Sequence, residues 1–149
     1  ELAQSDREIG EVTPVSVAMV AKEAWKNVST PEAVLETPDA THRIVADESR
    51  LQQLFENLFR NAIEHGGSDV HVTVDVTGDG FSVADNGPGI PQNKRDRVFE
   101  SGYTTEGDGT GFGLSIVQQV VAGHDWEIQI VESSENGARF EITGVNFEG

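Results

Sequence analysis

The sequence predicts an α+β fold, a two-layer α/β sandwich in which a mixed sheet of about five strands carries about three helices on one face. Three observations predict it. Apolar residues recur at helical spacing over 15–25, 51–65 and 113–122, and short β-prone runs bounded by turn signals lie between them. The last four of those runs form two pairs, each joined by a glycine-containing turn, as in hairpins. Strict alternation of strand and helix is absent, which argues against a doubly wound dinucleotide fold, where the glycine motif follows the first strand of a βαβ unit.

The elements follow in order. Residues 15–25 have helical spacing behind Pro14, a residue that a helix start tolerates. Residues 33–37 and 43–46 read as two strands separated by the turn signal Pro38-Asp39, so the expected order is helix, strand, strand, helix. Asp47 is placed to cap the next helix, because a carboxylate can accept hydrogen bonds from the unpaired amides of a first turn. On that helix, a step of roughly 100° per residue sets Leu51, Leu54, Phe55, Leu58 and Ala62 in one apolar arc. Asn57 and Asn61 share a face one turn apart and border the arc. Glu64 continues that polar edge, whereas Glu56 points to a different side. Beyond Gly66 and Gly67, the runs 70–76 and 81–84 flank Thr77-Gly78-Asp79-Gly80, a hairpin signal. Residues 86–110 are rich in glycine, proline and polar side chains, with a short helix expected over 93–100; a long loop of this kind is functional or mobile. A helix over 113–122 and a closing hairpin, 126–131 with 138–143, complete the order.

A chain of 149 residues fits one domain with a core of its own. No apolar run approaches the roughly 20 residues that cross a bilayer, and the start lacks the basic and apolar regions of a secretion signal. The fragment is therefore expected to make no direct membrane contact and to be cytoplasmic. Zero cysteines exclude disulfides and thiolate metal sites. With 26 acidic residues against 10 basic ones, the net charge is −16, and the only basic cluster is the short stretch 94–97, so nucleic acid is excluded as a partner. The acid excess is dispersed and lysines are few, which points to a halophilic surface, with an ordinary acidic protein as the alternative. Residues 1–10 read as the remnant of a preceding region, and 11–149 as the domain.

Two motifs carry the chemistry. Val83-Ala84-Asp85-Asn86-Gly87-Pro88-Gly89-Ile90 puts a carboxylate at the end of an apolar strand, followed by glycines that let the backbone turn tightly; this suits a buried purine amine. Some twenty residues later, Gly109-Thr110-Gly111-Phe112-Gly113-Leu114 opens a helix, and bared amides at a helix N-terminus hold an anion such as a phosphate chain. They read as two walls of an ATP site. The two helical asparagines form a third element, positioned to meet a ligand.

In order, these residues resemble the ATP-binding catalytic domain of sensor histidine kinases, a Bergerat-type fold, over nearly the whole chain. Residues 56–62 look like the family's N box, 85–89 its first glycine box, Val98-Phe99-Glu100 its F box and 109–114 its second glycine box. The wider superfamily includes gyrase, a heat-shock chaperone and mismatch-repair ATPases, so the fold alone does not settle activity. The resemblance implies that Asp85 accepts the adenine amine, with Gly87, Gly89 and Ile90 around the base. It implies that Asn61 ligates Mg²⁺ with Asn57 in support, and that Thr110, Gly111, Phe112, Gly113 and Leu114 line the phosphates. Residues 102–109 would be a lid.

Where hydrolytic relatives carry a glutamate, this sequence has Asn57, an amide that cannot act as general base, so transfer is favoured over hydrolysis. Glu56 lies about 100° away around the helix, too far round to replace it. Glu64 departs from the family, which often has a basic residue there; either it turns to solvent, or Arg60 or Arg50 supplies the charge. His65 contacts nucleotide or caps its helix, and Tyr103 belongs to the lid. None of His42, His65, His71 and His124 has the surroundings of a phosphoacceptor; each reads as structural or surface. The resemblance thus implies a histidine-bearing dimerisation domain elsewhere in a homodimeric protein, and a response-regulator receiver domain as partner. A nucleotide-sensing or docking module without transfer is the alternative.

Overall fold

The computed structural model describes residues 10–28, 31–39, 41–67, 69–87, 114–132 and 137–147. Along the chain run β1 (Thr13–Ser16), α1 (Val17–Val28), β2 (Val34–Glu36), β3 (Arg43–Ala46), α2 (Glu48–Gly66), β4 (His71–Val76), β5 (Gly80–Asp85), α3 (Leu114–Gly123), β6 (Glu127–Glu132) and β7 (Ala138–Thr143). Five strands form one mixed sheet in the order β2-β4-β5-β7-β6, with β2 and β4 parallel and every other neighbour antiparallel. Both expected hairpins are present.

One expectation is corrected. Pro14 does not start a helix: it lies in β1 opposite Val45, and α1 begins at Val17. A two-stranded ribbon leaves one edge of β1 free of ladder bonds, where a missing N–H is tolerated. Residues 43–46 form the expected strand, in a separate pair with β1. The helix expected over 93–100 lies outside the described residues.

The core lies between the helices and one face of the sheet. In β7 burial alternates strictly, with Ala138, Phe140 and Ile142 inward, while Arg139 and Glu141 pair on the other face at 2.9 Å. α2 packs against both α1 and α3 and touches β5. Its buried side is wider than the expected arc, because Phe59 is also fully buried and meets Trp25 of α1 edge-on, ring centroids 5.2 Å apart. From Phe59 a row of rings continues through Phe55 to Phe81 of β5 and on to Trp126, with centroids 5.5–5.9 Å apart. That row ties the helix layer to the sheet, each ring contributing about 1.5–3 kcal/mol of burial. Gly80 is required where β5 meets β7, since a Cβ there would stand 2.7 Å from the Ile142 carbonyl carbon.

Both ends of α2 are fixed. Asp47 caps the start as expected, its Oδ1 accepting from the Ser49 and Arg50 amides at 3.1 and 3.3 Å and its Oδ2 from the Gly10 amide at 2.7 Å. At the other end Gly67 adopts φ 107°, and its N–H donates to the Ile63 carbonyl at 3.1 Å.

Candidate functional site

Chain direction brings the singled-out residues to one end of the sandwich. From α2 the chain turns at Gly67 straight into β4, the Val70 amide donating to the Gly67 carbonyl at 3.2 Å. β5 runs antiparallel to β4 and sets Asp85 opposite Val72, near the start of β4. β7 begins at the same end, with Arg139 opposite Ala84. α3 packs on α2, and its far end meets the α2 N-cap, where His124 Nε2 accepts the Asp47 N–H at 3.1 Å. The two helices therefore run antiparallel, and the start of α3 lies toward the end of α2 that carries the asparagines. Asn57, Asn61, Asp85, Gly87 and Leu114 gather there.

Asn61 is buried, 4 % exposed, and its Oδ1 has no hydrogen-bond partner among the described residues. A buried carbonyl oxygen left unpaired costs about 1–3 kcal/mol, which a fold rarely sustains without a use for it. One turn earlier, Asn57 is half-buried and donates from Nδ2 to the Gln53 carbonyl at 2.8 Å, so its amide lies along its own helix. Glu56 is committed elsewhere, accepting from Asn27 of α1 at 2.8 Å and from Gln52 at 3.1 Å, as its helical angle requires.

Asp85 is 9 % exposed. Its Oδ1 accepts from the Gly87 amide at 2.9 Å and from the Ala138 amide at 3.3 Å. Asn86 fastens the strand end to β4, its amide donating to the His71 carbonyl at 3.2 Å and its Oδ1 accepting from the His71 amide at 3.0 Å. Ala138 and the Gly137 that precedes it are the site residues sequence reasoning missed; the only signal was a glycine before a strand, which any turn supplies.

The remaining expected residues divide clearly. Arg60 and Glu64 are exposed, and Arg50 Nη1 donates to Gln53 Oε1 at 3.1 Å. Leu114 is fully buried by side chain, so any ligand contact from it is through backbone. His65 belongs to the last turn of α2 but its side chain lies outside the described residues, and Gly67 makes the C-cap. Gly89, Ile90, Tyr103, Thr110, Gly111, Phe112 and Gly113 also lie outside them.

His124 proves structural. Its ring stacks on Trp126, centroids 4.0 Å apart, and its Nδ1 lies 2.9 Å from the Val120 carbonyl, so Nδ1 carries the proton and Nε2 the accepting lone pair. Burial lowers its pKa, outweighing the Val120 carbonyl and the Asp47 charge, both of which raise it.

Comparison with known proteins gives a concordant answer. The family model described as histidine kinase-, DNA gyrase B- and HSP90-like ATPase matches residues 46–145. The sensor histidine kinase ZraS of Escherichia coli O157:H7 is 37 % identical over 108 residues, 70 % of this chain and 24 % of ZraS. This chain thus spans about a quarter of the length of such curated relatives. Among solved structures, the catalytic domain of histidine kinase ThkA superposes with a TM-score of 0.72 at 28 % identity, covering 89 % of this chain and 94 % of that one. Full-length ShkA in complex with AMPPNP superposes with a TM-score of 0.75 at 27 % identity, covering 99 % of this chain and 34 % of ShkA.

Proposed function

The chain belongs to the histidine kinase-, DNA gyrase B- and HSP90-like ATPase family, and from that membership we propose that residues 11–149 are the ATP-binding catalytic domain of a sensor histidine kinase. In this reading residues 1–10 are the end of a preceding region. The domain delivers the γ-phosphoryl group of ATP to a histidine on a dimerisation domain of the same, homodimeric protein, from which it passes to an aspartate of a response-regulator receiver domain. The parent protein works in the cytoplasm, and its acidic surface belongs to a halophile. No helix among the described residues is long and apolar enough to cross a membrane.

The observation that carries the proposal is the buried Oδ1 of Asn61, without a hydrogen-bond partner among the described residues, at the same end of the fold as the Asp85 carboxylate. An amide oxygen is a hard, neutral donor that fits Mg²⁺, an ion that keeps several waters and is shared with phosphate oxygens. Asn61 would hold the ion, with Asn57 beside it, and the bound ion would supply neutralisation of phosphate charge. Asp85 accepts the adenine exocyclic amine, and Gly87 leaves room for the base. By resemblance, the amides of Thr110, Gly111, Phe112, Gly113 and Leu114 would meet the phosphates, and Gly89, Ile90 and Tyr103 would add nucleotide contacts. His65 and Arg60 would be further nucleotide contacts. Catalysis is then positioning: water is given no general base, because position 57 is an amide and Glu56 is turned to α1, so the phosphoryl group is kept for a better nucleophile.

The test is calorimetric titration with ATP, with and without Mg²⁺, followed by addition of a helical hairpin that bears an acceptor histidine. Mg²⁺-dependent binding and labelling of the hairpin from γ-labelled ATP are expected. Binding without transfer would leave a nucleotide-sensing module, and steady hydrolysis without acceptor would return the chain to the ATPase branch of its family.

A further inference from the structure

Two amides of different origin, among the described residues, hold the Asp85 carboxylate. One, Gly87, belongs to the turn that Asp85 itself begins; the other, Ala138, arrives from 53 residues away as the first residue of β7. That second bond requires the start of β7 to lie directly against the end of β5. Gly137 is what permits the approach, because a Cβ there would stand 2.6 Å from the Asp85 carbonyl carbon and closer still to its carbonyl oxygen and Oδ1. The need is for space alone, since Gly137 is not among the glycines with positive φ.

We propose that Gly137 and Ala138 are positioning residues for purine selection, which rests on Asp85 being the acceptor of the purine amine. With Oδ1 engaged by two fixed donors, the carboxylate cannot rotate or retreat. A 6-amino purine then meets an acceptor in a set place, whereas a 6-keto purine brings acceptor against acceptor. Release the carboxylate, and a water can bridge it to the keto oxygen, so discrimination relaxes.

The test measures equilibrium binding of ATP and of its 6-keto counterpart ITP, both with Mg²⁺, to the whole chain and to variants. The unaltered chain is expected to prefer ATP, and Asp85→Ala to abolish the preference. Gly137→Ala is expected to weaken ATP binding about tenfold, the loss of one charge-assisted bond, while ITP binding moves far less. Ala138→Pro replaces that N–H by a ring Cδ at a strand's first residue, where proline is tolerated, and is expected to act in the same direction. It carries the test should Gly137→Ala fail to fold by near-ultraviolet circular dichroism. Added to Asp85→Ala, Gly137→Ala should leave the ATP-to-ITP ratio unchanged. An unaltered ratio in the folded single variants, or equal loss of both nucleotides, overturns the positioning role and leaves Asp85 standing. An unaltered chain that does not prefer ATP, or an Asp85→Ala variant that still does, removes the acceptor reading and this inference with it.

Discussion

Replacing Asn61 by leucine is expected to make the nucleotide-free protein more stable and its nucleotide binding worse. The buried Oδ1 has no partner among the described residues, and an unpaired buried carbonyl costs about 1–3 kcal/mol. Leucine has the same number and branching of side-chain heavy atoms and no polar atom, and the helical neighbours Leu58 and Ala62 are already in the core. Allowing for loss of the amide's donor side, a net gain of about 1 kcal/mol is expected, or about 2–4 °C in Tm for a domain of this size. Urea unfolding followed by tryptophan fluorescence reads it, since Trp25 and Trp126 both pack against the core. The same substitution removes a hard oxygen donor, so affinity for ATP in Mg²⁺ should fall by about tenfold or more while affinity without Mg²⁺ falls less. A variant that loses more than about 1 kcal/mol without nucleotide would show that the oxygen is satisfied in solution. Equal losses of affinity with and without the metal would show that Asn61 is no ligand.

Three further outcomes are expected. Because His124 has a lowered pKa in the folded state, its neutral form contributes stability that is full above pH 6.5 and declines as the pH falls from there to its folded value; His124→Phe should flatten that part of a stability-versus-pH curve, and a ring titration by NMR should find the depressed value directly. Asp47→Ala removes the cap of α2 and the anchor of Gly10, and should cost about 1–2 kcal/mol in urea unfolding at pH 7; burial raises the Asp47 carboxyl but its hydrogen bonds outweigh burial and lower it, so the contribution should vanish only as the pH falls below 3.8 through the folded value, and a loss already complete at pH 5 would contradict this. With a net charge of −16, stability should rise with added potassium chloride if the surface is halophilic, and a curve flat from low to high salt would reject that origin.

What could be read from the sequence is what is local. The arc of Leu51, Leu54, Phe55, Leu58 and Ala62, the Asp47 cap and the hairpin at 77–80 each depend on neighbours within a turn or two, and each is present in the fold. Pro14 misled because its strand exists only through β3, some thirty residues on, and no local period announces such a partner. Phe59 lies beyond the expected arc for a similar reason: Trp25, which it meets edge-on, belongs to a different helix, α1. At the site, the type of Asp85 and Asn61 was legible but their condition was not. An orphaned oxygen and a carboxylate fixed by a distant amide are properties of tertiary contacts, as is the exposure of Glu64 that resolves its departure from the family in favour of solvent.

If Asn61 holds the ligand as proposed, its placement ties binding to the stability of the whole fold. α2 packs against α1, α3 and β5, and it carries both the orphaned amide and the middle of the aromatic row. A ligand that satisfies the amide therefore acts on the element most of the core leans upon, and by mass action it should stabilise the folded state by about 2.7 kcal/mol at a concentration one hundred times its Kd. The same helix begins at Asp47, whose carboxylate grips the chain at Gly10 and whose amide is held by His124 at the end of α3. Filling the proposed site at one end of α2 should then stiffen the chain at Gly10, at the other. Hydrogen exchange of the Gly10 and Asp47 amides should slow on addition of Mg²⁺ and ATP in the unaltered protein and not in Asn61→Leu; slowing in both would mean that α2 does not transmit the effect.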